Sequence, residues 1–198
     1  MAQQLFMMIT FIKTLPYQLK PKGRDVFEHL SDLGLQKIDP PTLSENPLSI
    51  TADVIFYSPL KRVADTIKNR TRAIKKESLR EIVFDMKAMC SKEEYQEYKS
   101  VIVRKRFKEF FIKDKLPVKR EVIFNEIEAL LKESRFSGKK DIAVVSHSFR
   151  LKIIEAFIKT KGEVRHKPEL IHKYIFDNEK TYPFGGGFSI DSKELDFL

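Results

Sequence analysis

The stretch Asp141–Arg150, DIAVVSHSFR, decides the fold. Ile142 to Val145 form a continuous β-branched and small apolar run between a Lys-rich turn (Gly138, Lys139, Lys140) and a polar cluster. Such a run bounded by turn signals reads as a strand buried on both faces. After Ser146-His147-Ser148 the chain continues as LKIIEAFIKT, with helical spacing over Phe149–Thr160. His147 therefore falls at a strand-to-helix junction, on the carboxyl edge of a sheet. Open α/β sheets bind ligands at that edge. A loop histidine satisfied by hydrogen bonds is the plainer alternative, since one His by itself does not define a site.

Working outward, other segments repeat the pattern. Leu5–Ile12 (LFMMITFI) reads as a first strand buried on both faces, ending at Lys13-Thr14-Leu15-Pro16. Pro16 disfavours helix at Leu15, so a loop follows. Asp25–Lys37 holds a turn or helix start at Ser31-Asp32, and the two prolines of Asp39–Asn46 mark a loop. Asp53–Tyr57 is a second short buried strand. Ser58-Pro59 suits a helix start, and the apolar spacing predicts a helix over Lys61–Lys76. Leu79–Met86 stays open between strand and irregular structure. Ser91 with Glu94 forms a capping box ahead of a long helix, Lys92–Lys113. Leu116-Pro117 breaks it, and Arg120–Ser134 forms an amphipathic helix with Val122, Ile123, Ile127, Leu130 and Leu131 inward. Lys173–Phe176 fits a strand or a helix end, Tyr182–Gly187 (YPFGGG) a tight turn, and Phe188–Ile190 an edge strand. Alternating strands and helices imply an α/β domain with a mostly parallel sheet flanked by helices. One domain is expected over 1–198, with a helical insertion at about 91–135.

The bulk numbers narrow the classes. The chain has 198 residues, 42% of them hydrophobic, with seven glycines and nine prolines, which describes a globular domain rather than a disordered one. One cysteine, Cys90, excludes an intrachain disulfide and fits a reducing compartment. Leu5–Ile12 is too short to span a bilayer and lacks the marks of a signal peptide, so a cytoplasmic protein with no membrane association is expected. The net charge of +9 favours anionic partners. Its basic residues concentrate in Lys68–Arg80 and Arg104–Arg120, interleaved with acids as on a solvated helix face. Phe107, Phe110 and Phe111 have the spacing of packing residues, and no nucleic-acid-binding motif accompanies the charge. No metal ligand set, P-loop or dinucleotide fingerprint is present.

In a parallel sheet the strand ends at Lys13-Thr14, Ser58/Arg62 and His147 face one side. Lys and Arg there would bind a phosphate, Arg through a planar two-pronged face. His147 would donate a hydrogen bond to it, and Glu81 would supply a carboxyl group for proton transfer.

The order of these segments resembles the histidine phosphatase superfamily, the phosphoglycerate-mutase-like proteins. Ile9–Ile12 is similar to that family's first strand, and Arg24-Asp25 with Leu30–Gln36 (LSDLGLQ) to its L-T-x-x-G-x-x-Q segment. Asp53–Thr66 (DVIFYSPLKRVADT) resembles I-x-S-S-P-L-x-R-A-x-x-T, Leu79–Ile82 (LREI) resembles L-x-E-I, and Ile142–His147 resembles the strand carrying the second family histidine. The resemblance implies a three-layer phosphoglycerate-mutase-like fold and no cofactor or metal. It makes Arg62 a phosphate-binding arginine, Glu81 the general-acid carboxylate and His147 the histidine that holds the phosphoryl group.

The departure lies at the first strand. Lys13-Thr14-Leu15 stands where the family has Arg-His-Gly, whose His is the phosphorylated nucleophile. Lys13 keeps the charge without the two-pronged geometry, and Thr14 is a poor nucleophile without an activating base. Removing one member of a cooperative catalytic set costs on the order of 10⁶ in rate, about 8 kcal/mol. Three readings follow. The first is a pseudophosphatase that binds a phosphorylated small molecule or phosphoprotein through Lys13, Arg62 and His147. The second is an active phosphomonoesterase with Thr14, or a water activated by Glu81 or His147, as nucleophile. The third is a scaffold or nucleic-acid-binding protein using Arg104–Arg120. No oligomeric state is implied.

Overall fold

The computed structural model describes residues 7–17, 23, 25–177 and 181–198. Leu5, Phe6 and Arg24, with residues 18–22 of the first loop, lie outside them. The elements in chain order are β1 (Met8–Lys13), α1 (Val26–Gly34), β2 (Val54–Tyr57), α2 (Lys61–Ala64) and β3 (Ala73–Lys75). Then come α3 (Met86–Met89), α4 (Lys92–Tyr98), α5 (Ser100–Ile112), α6 (Arg120–Arg135), β4 (Asp141–Ser146), α7 (Ser148–Lys159), α8 (Pro168–Ile171) and β5 (Gly187–Asp191). The five strands form one sheet in the order β3-β2-β4-β1-β5. All neighbours are parallel except β1 and β5, which run antiparallel with Met8 opposite Asp191. The α/β expectation, the central Asp141–Ser146 strand and the late edge strand all hold.

The core follows from strand alternation. Ile9 and Phe11 of β1, Val54 and Phe56 of β2, and Ile142 and Val144 of β4 point to one face. There they meet Ile123, Phe124, Ile127 and Leu131 of α6 and Leu151, Ile154 and Phe157 of α7. The opposite face is thinner: Ile55, Tyr57, Ala143 and Val145 pack on Val63 and Ala64 of α2 and on Ile67, with Ile50 and Ala52 partly covering them. A separate cluster of Phe27, Met86 and Cys90 joins α1 to the helices that follow β3.

Several local expectations are corrected. β1 is not buried on both faces: Met8 is exposed and Thr10 and Ile12 half-buried, because the thin layer does not reach the β5 side. Asp25, not Ser31, starts α1, its side chain accepting from the Glu28 N–H, and Ser31 is buried inside the helix. The helix predicted over Lys61–Lys76 is one turn. Ile67 leaves it to pair with Leu48, and Ala73–Lys75 becomes the edge strand β3. Leu60, not Ser58, is its N-cap. Segment 79–86 holds no strand: it is a short 3₁₀ turn, extended chain, then the start of α3. The capping box of Ser91 and Glu94 is present, but Lys99 adopts φ 53° and splits the long helix into α4 and α5. Val122 is 46% exposed, and Phe124 takes the inward position beside Ile123. Lys173–Phe176 lies in a π-helical turn, His172–Phe176.

The turn before β5 closes the sheet edge at the site. The Lys13 N–H donates to the Gly186 carbonyl at 2.8 Å and the Gly185 N–H to the Lys13 carbonyl at 3.0 Å. A Cβ on Gly187 would lie 1.7 Å from the Phe11 carbonyl oxygen. That contact is backbone and has nowhere to move without separating β5 from β1. Gly138, with φ 70°, has open space around a Cβ, so only backbone conformation penalises a side chain there. Gly187→Ala is therefore expected to destabilise the chain by about 3 kcal/mol or more, and Gly138→Ala by about 1 kcal/mol. Urea denaturation of both variants measures the difference, and equal costs would contradict the close approach.

Candidate functional site

Three parallel strands deliver their carboxyl ends together. The Thr14 N–H donates to the Ser146 carbonyl at 2.8 Å, and the Ser58 N–H to the Val145 carbonyl at 3.1 Å. β4 thus holds the chain after β1 on one side and after β2 on the other. His147 follows directly, as the N-cap of α7 with no capping hydrogen bond from its side chain. Neither Ser146 nor Ser148 serves as the cap; the Ser146 hydroxyl donates to the Leu79 carbonyl at 2.7 Å.

The His147 ring is 1% exposed. Its Nε2 is 3.0 Å from Ser58 Oγ. The Leu60 N–H approaches the same Oγ at 3.5 Å, as donor, which leaves the Ser58 hydroxyl hydrogen free to donate to Nε2. In that tautomer Nδ1 carries the proton. Nδ1 is buried with no hydrogen-bond partner; the nearest carboxylate oxygen, Glu81 Oε2, is 3.7 Å away, beyond hydrogen-bond range. Burial first, and then Arg62, Arg150 and Arg80, hold His147 well below the usual imidazole pKa. The ring is neutral at pH 7.

Arg62 comes from α2 and is 1% exposed. One guanidinium nitrogen donates to Asp39 Oδ1 at 2.9 Å, and the group lies 4.7 Å over the Tyr17 ring. Its Nε is buried and unpartnered. Asp39 also accepts the Lys61 N–H. Its loop is tied down by the Leu43 N–H and the Thr42 hydroxyl, both donating to the Pro16 carbonyl.

Glu81 sits on extended chain pinned from three sides. Gln36 Nε2 donates to the Glu81 carbonyl at 2.8 Å, Arg150 Nε to the Arg80 carbonyl at 2.8 Å, and Arg80 to Gln36 Oε1 at 3.1 Å. The side chain keeps 23% of its surface open. Burial pushes its carboxyl pKa up, opposed by the Ile82 N–H and by Arg62, Arg150 and Lys13. Lys13 is turned toward the glycine turn: its Nζ donates to the Tyr182 carbonyl at 3.0 Å and lies 4.0 Å over the Phe184 ring. Burial lowers its pKa, and the Glu81 charge opposes that.

Thr14 is placed differently. It is 2% exposed, and its hydroxyl lies 3.1 Å from the Arg62 carbonyl and 2.9 Å from Thr66 Oγ1. Thr66 accepts the Leu15 N–H at 3.1 Å. These two hydroxyls fasten the end of β1 under α2.

Arg62, Glu81, His147 and Lys13 are thus electrostatically coupled at one sheet edge, and Thr14 lies beneath it. Lys61 belongs to the surface, paired with Asp65 at 3.0 Å. Sequence reading missed Tyr17, Asp39, Gln36 and Arg150. The last two lie within or beside segments already singled out; Asp39 carries no signal except its place before two prolines. Among the described residues, no group of three His, Cys, Asp or Glu stands close enough to hold a metal ion, and no helix is long and apolar enough to cross a membrane. The basic segment Arg104–Arg120 is broken up by ion pairs of Arg106 with Glu94 and Glu109, of Lys108 with Asp177 and of Lys119 with Asp114. Phe111 is buried in the core, as its spacing predicts.

No family model and no curated protein sequence matches the chain. Among solved structures it is similar to a protein from Escherichia coli str. K-12 substr. MG1655 assigned provisionally as an alpha-ribazole-5'-P phosphatase. The identity is 14%, the match covers 93% of this chain and 90% of that one, and the TM-score is 0.57. It is also similar to the alpha-ribazole phosphatase from Shigella flexneri, at 13% identity over 90% of this chain and 87% of that one, with a TM-score of 0.49. The first likeness, spanning most of both chains, shows the phosphoglycerate-mutase-like fold.

The buried neutral histidine makes stability depend on pH. Its folded pKa is depressed, so the unfolded chain binds the proton more readily, and stability falls as pH drops below about 6.5. The slope approaches about 1.4 kcal/mol per pH unit for one proton. Glu81, with a raised pKa, has the opposite sign: it favours the folded state as pH falls. Comparing the unmodified chain with His147→Gln removes that contribution. Between pH 7.5 and 5 the unmodified chain is expected to lose about 1–2 kcal/mol more than the variant. Superimposable urea-stability profiles would mean that His147 is not held neutral.

Proposed function

We propose that this chain is a pseudophosphatase: a histidine-phosphatase-like protein that binds a phosphorylated ligand at Arg62, His147 and Lys13 and does not turn it over. The observation that carries the reading is a pair of orphaned donors. Arg62 Nε and His147 Nδ1 are both buried without partners, and the Arg62 charge lies close enough to help hold the His147 ring neutral. A buried donor left unpaired costs about 1–3 kcal/mol. One anion with several acceptor oxygens would satisfy both, and a phosphate monoester is such an anion.

The position of Thr14 supports binding without catalysis. Its hydroxyl is committed to Thr66 and the Arg62 carbonyl, and among the described residues no imidazole or carboxylate is hydrogen-bonded to it to take its proton. Glu81, with its raised pKa, would sit beside the ligand as a neutral or shared-proton group and limit repulsion. A phosphatase assignment for a protein of the same fold points to the same ligand chemistry. The ion pairs that divide Arg104–Arg120 and the packing of Phe111 favour this reading over nucleic-acid binding.

Titration calorimetry with inorganic phosphate tests it. Arg62→Gln and His147→Ala are each expected to weaken binding about tenfold or more, the loss of a charge-assisted or buried hydrogen bond. Asp39→Asn, which removes the carboxylate competing for the Arg62 guanidinium, is expected to tighten it severalfold. In parallel, phenyl phosphate hydrolysis by the unmodified chain is expected to stay far below ordinary enzyme turnover of about 1 s⁻¹ or more. Turnover in that range, abolished by His147→Ala, would replace this reading with an active phosphomonoesterase.

A further inference from the structure

A cleft of about 690 Å³ opens from the site and has Arg62, Glu81 and Tyr17 in its lining. Its inner wall is a chain of four phenylalanines drawn from four parts of the fold. Phe84 meets Phe107 edge-on at 5.8 Å, Phe107 meets Phe149 edge-on at 4.9 Å, and Phe149 meets Phe176 at 5.6 Å. Phe149 also stands edge-on to the fully buried Phe111 at 5.6 Å, so the wall is braced by the core. Each ring spends its edge or face on a neighbour, which fixes the wall before any ligand arrives.

The composition of the cleft is selective. Among the described residues, and apart from Tyr17, its lining includes no serine, threonine, asparagine, glutamine or other uncharged polar side chain. A pocket that recognises sugar hydroxyls needs such groups, and one without them leaves hydroxyls unpaired on burial. The rim is basic: Arg104, Lys105, Lys108 and Lys152 line it, and Glu81 is the single acid among the described lining residues. Lys108 is neutralised by Asp177 at 2.8 Å. Lys105 is exposed, and no carboxylate among the described residues pairs with it. The rim would draw an anion toward the cleft, and the apolar wall would then take the uncharged part.

We infer that the ligand is a small phosphate monoester of a flat, apolar alcohol, an aryl phosphate, with its phosphate at Arg62 and His147 and its ring against Phe107 and Phe149. This assignment rests on the phosphate-binding reading and adds the ligand's organic half. It separates an aromatic ester from a sugar or polyol phosphate, which this wall would reject.

Calorimetry on the full chain with four probes tests it: inorganic phosphate, glycerol 3-phosphate, 1-naphthyl phosphate and 1-naphthol. Naphthyl phosphate is expected to bind about tenfold or more tighter than inorganic phosphate, and glycerol 3-phosphate no tighter. Val103→Trp, which fills the cleft from α5, should erase the naphthyl advantage and leave inorganic phosphate unchanged. The ligand series carries the test with the unmodified chain, whether or not that variant folds. Inorganic phosphate bound with no naphthyl advantage, or glycerol 3-phosphate bound as tightly as the naphthyl ester, overturns the cleft assignment alone. No binding of inorganic phosphate, with naphthol as tight as its phosphate, overturns the phosphate reading and the ester assignment with it.

Discussion

The parallel pairing of β4 with both β1 and β2 is the constraint on which the rest depends. Two backbone hydrogen bonds past the strand ends, from Thr14 to Ser146 and from Ser58 to Val145, bring residues far apart in sequence to one edge. Once those ladders form, His147 can only emerge beside Ser58, and α2 can only carry Arg62 across the same opening. The core enforces the register. A slip of one residue would exchange Ile142 and Val144 with Ala143 and Val145 between the thick and thin layers. The site is therefore a consequence of hydrophobic alternation in six residues.

Charge balance then decides what the edge can do. Arg62, Arg80 and Arg150 surround a neutral imidazole; each is paired with a carboxylate, Asp39, Glu77 and Glu126 in turn, and Glu81 lies beside the ring. Protonating His147 would add a further buried charge to a cationic cluster, so the ring stays a hydrogen-bonding group rather than an acid. Asp39 is the internal carboxylate that holds the Arg62 guanidinium, the place where the proposed ligand would compete. The same economy explains the hydroxyl pair beneath α2: Thr14 and Thr66 satisfy the Arg62 carbonyl and the Leu15 N–H without adding charge.

Much of this was legible in the chain because buried parallel strands announce themselves. The apolar run Ile142–Val145 and the short stretch Asp53–Tyr57 read correctly as buried strands, and the motif DVIFYSPLKRVADT located Arg62 because strand and turn chemistry coincide there. The failures have physical causes. Apolar spacing over Lys61–Lys76 matched a helix, yet after one turn the chain pairs with Leu48 instead, the Leu48 N–H donating to the Thr66 carbonyl and the Lys68 N–H to the Leu48 carbonyl. β1 looked doubly buried because composition does not reveal how far a covering layer extends. Asp39 and Tyr17 were invisible as site residues: their positions follow from loop-to-loop hydrogen bonds at Pro16, which have no periodicity. Phe107 of the cleft reads as a packing residue, and it is, but one side of its packing faces open space.

The central claim is that His147 is a neutral donor for a bound phosphate and not a group that becomes phosphorylated. Imidazole nitrogen NMR of the full chain, titrated with inorganic phosphate and then with phenyl phosphate under phosphorus detection, addresses it most directly. The account predicts a neutral Nδ1–H tautomer for His147, a saturable shift of Nδ1 as phosphate binds, and no phosphohistidine signal. A charged ring at pH 7, a resonance indifferent to phosphate, or a covalent phosphorus–nitrogen signal on His147 would contradict it.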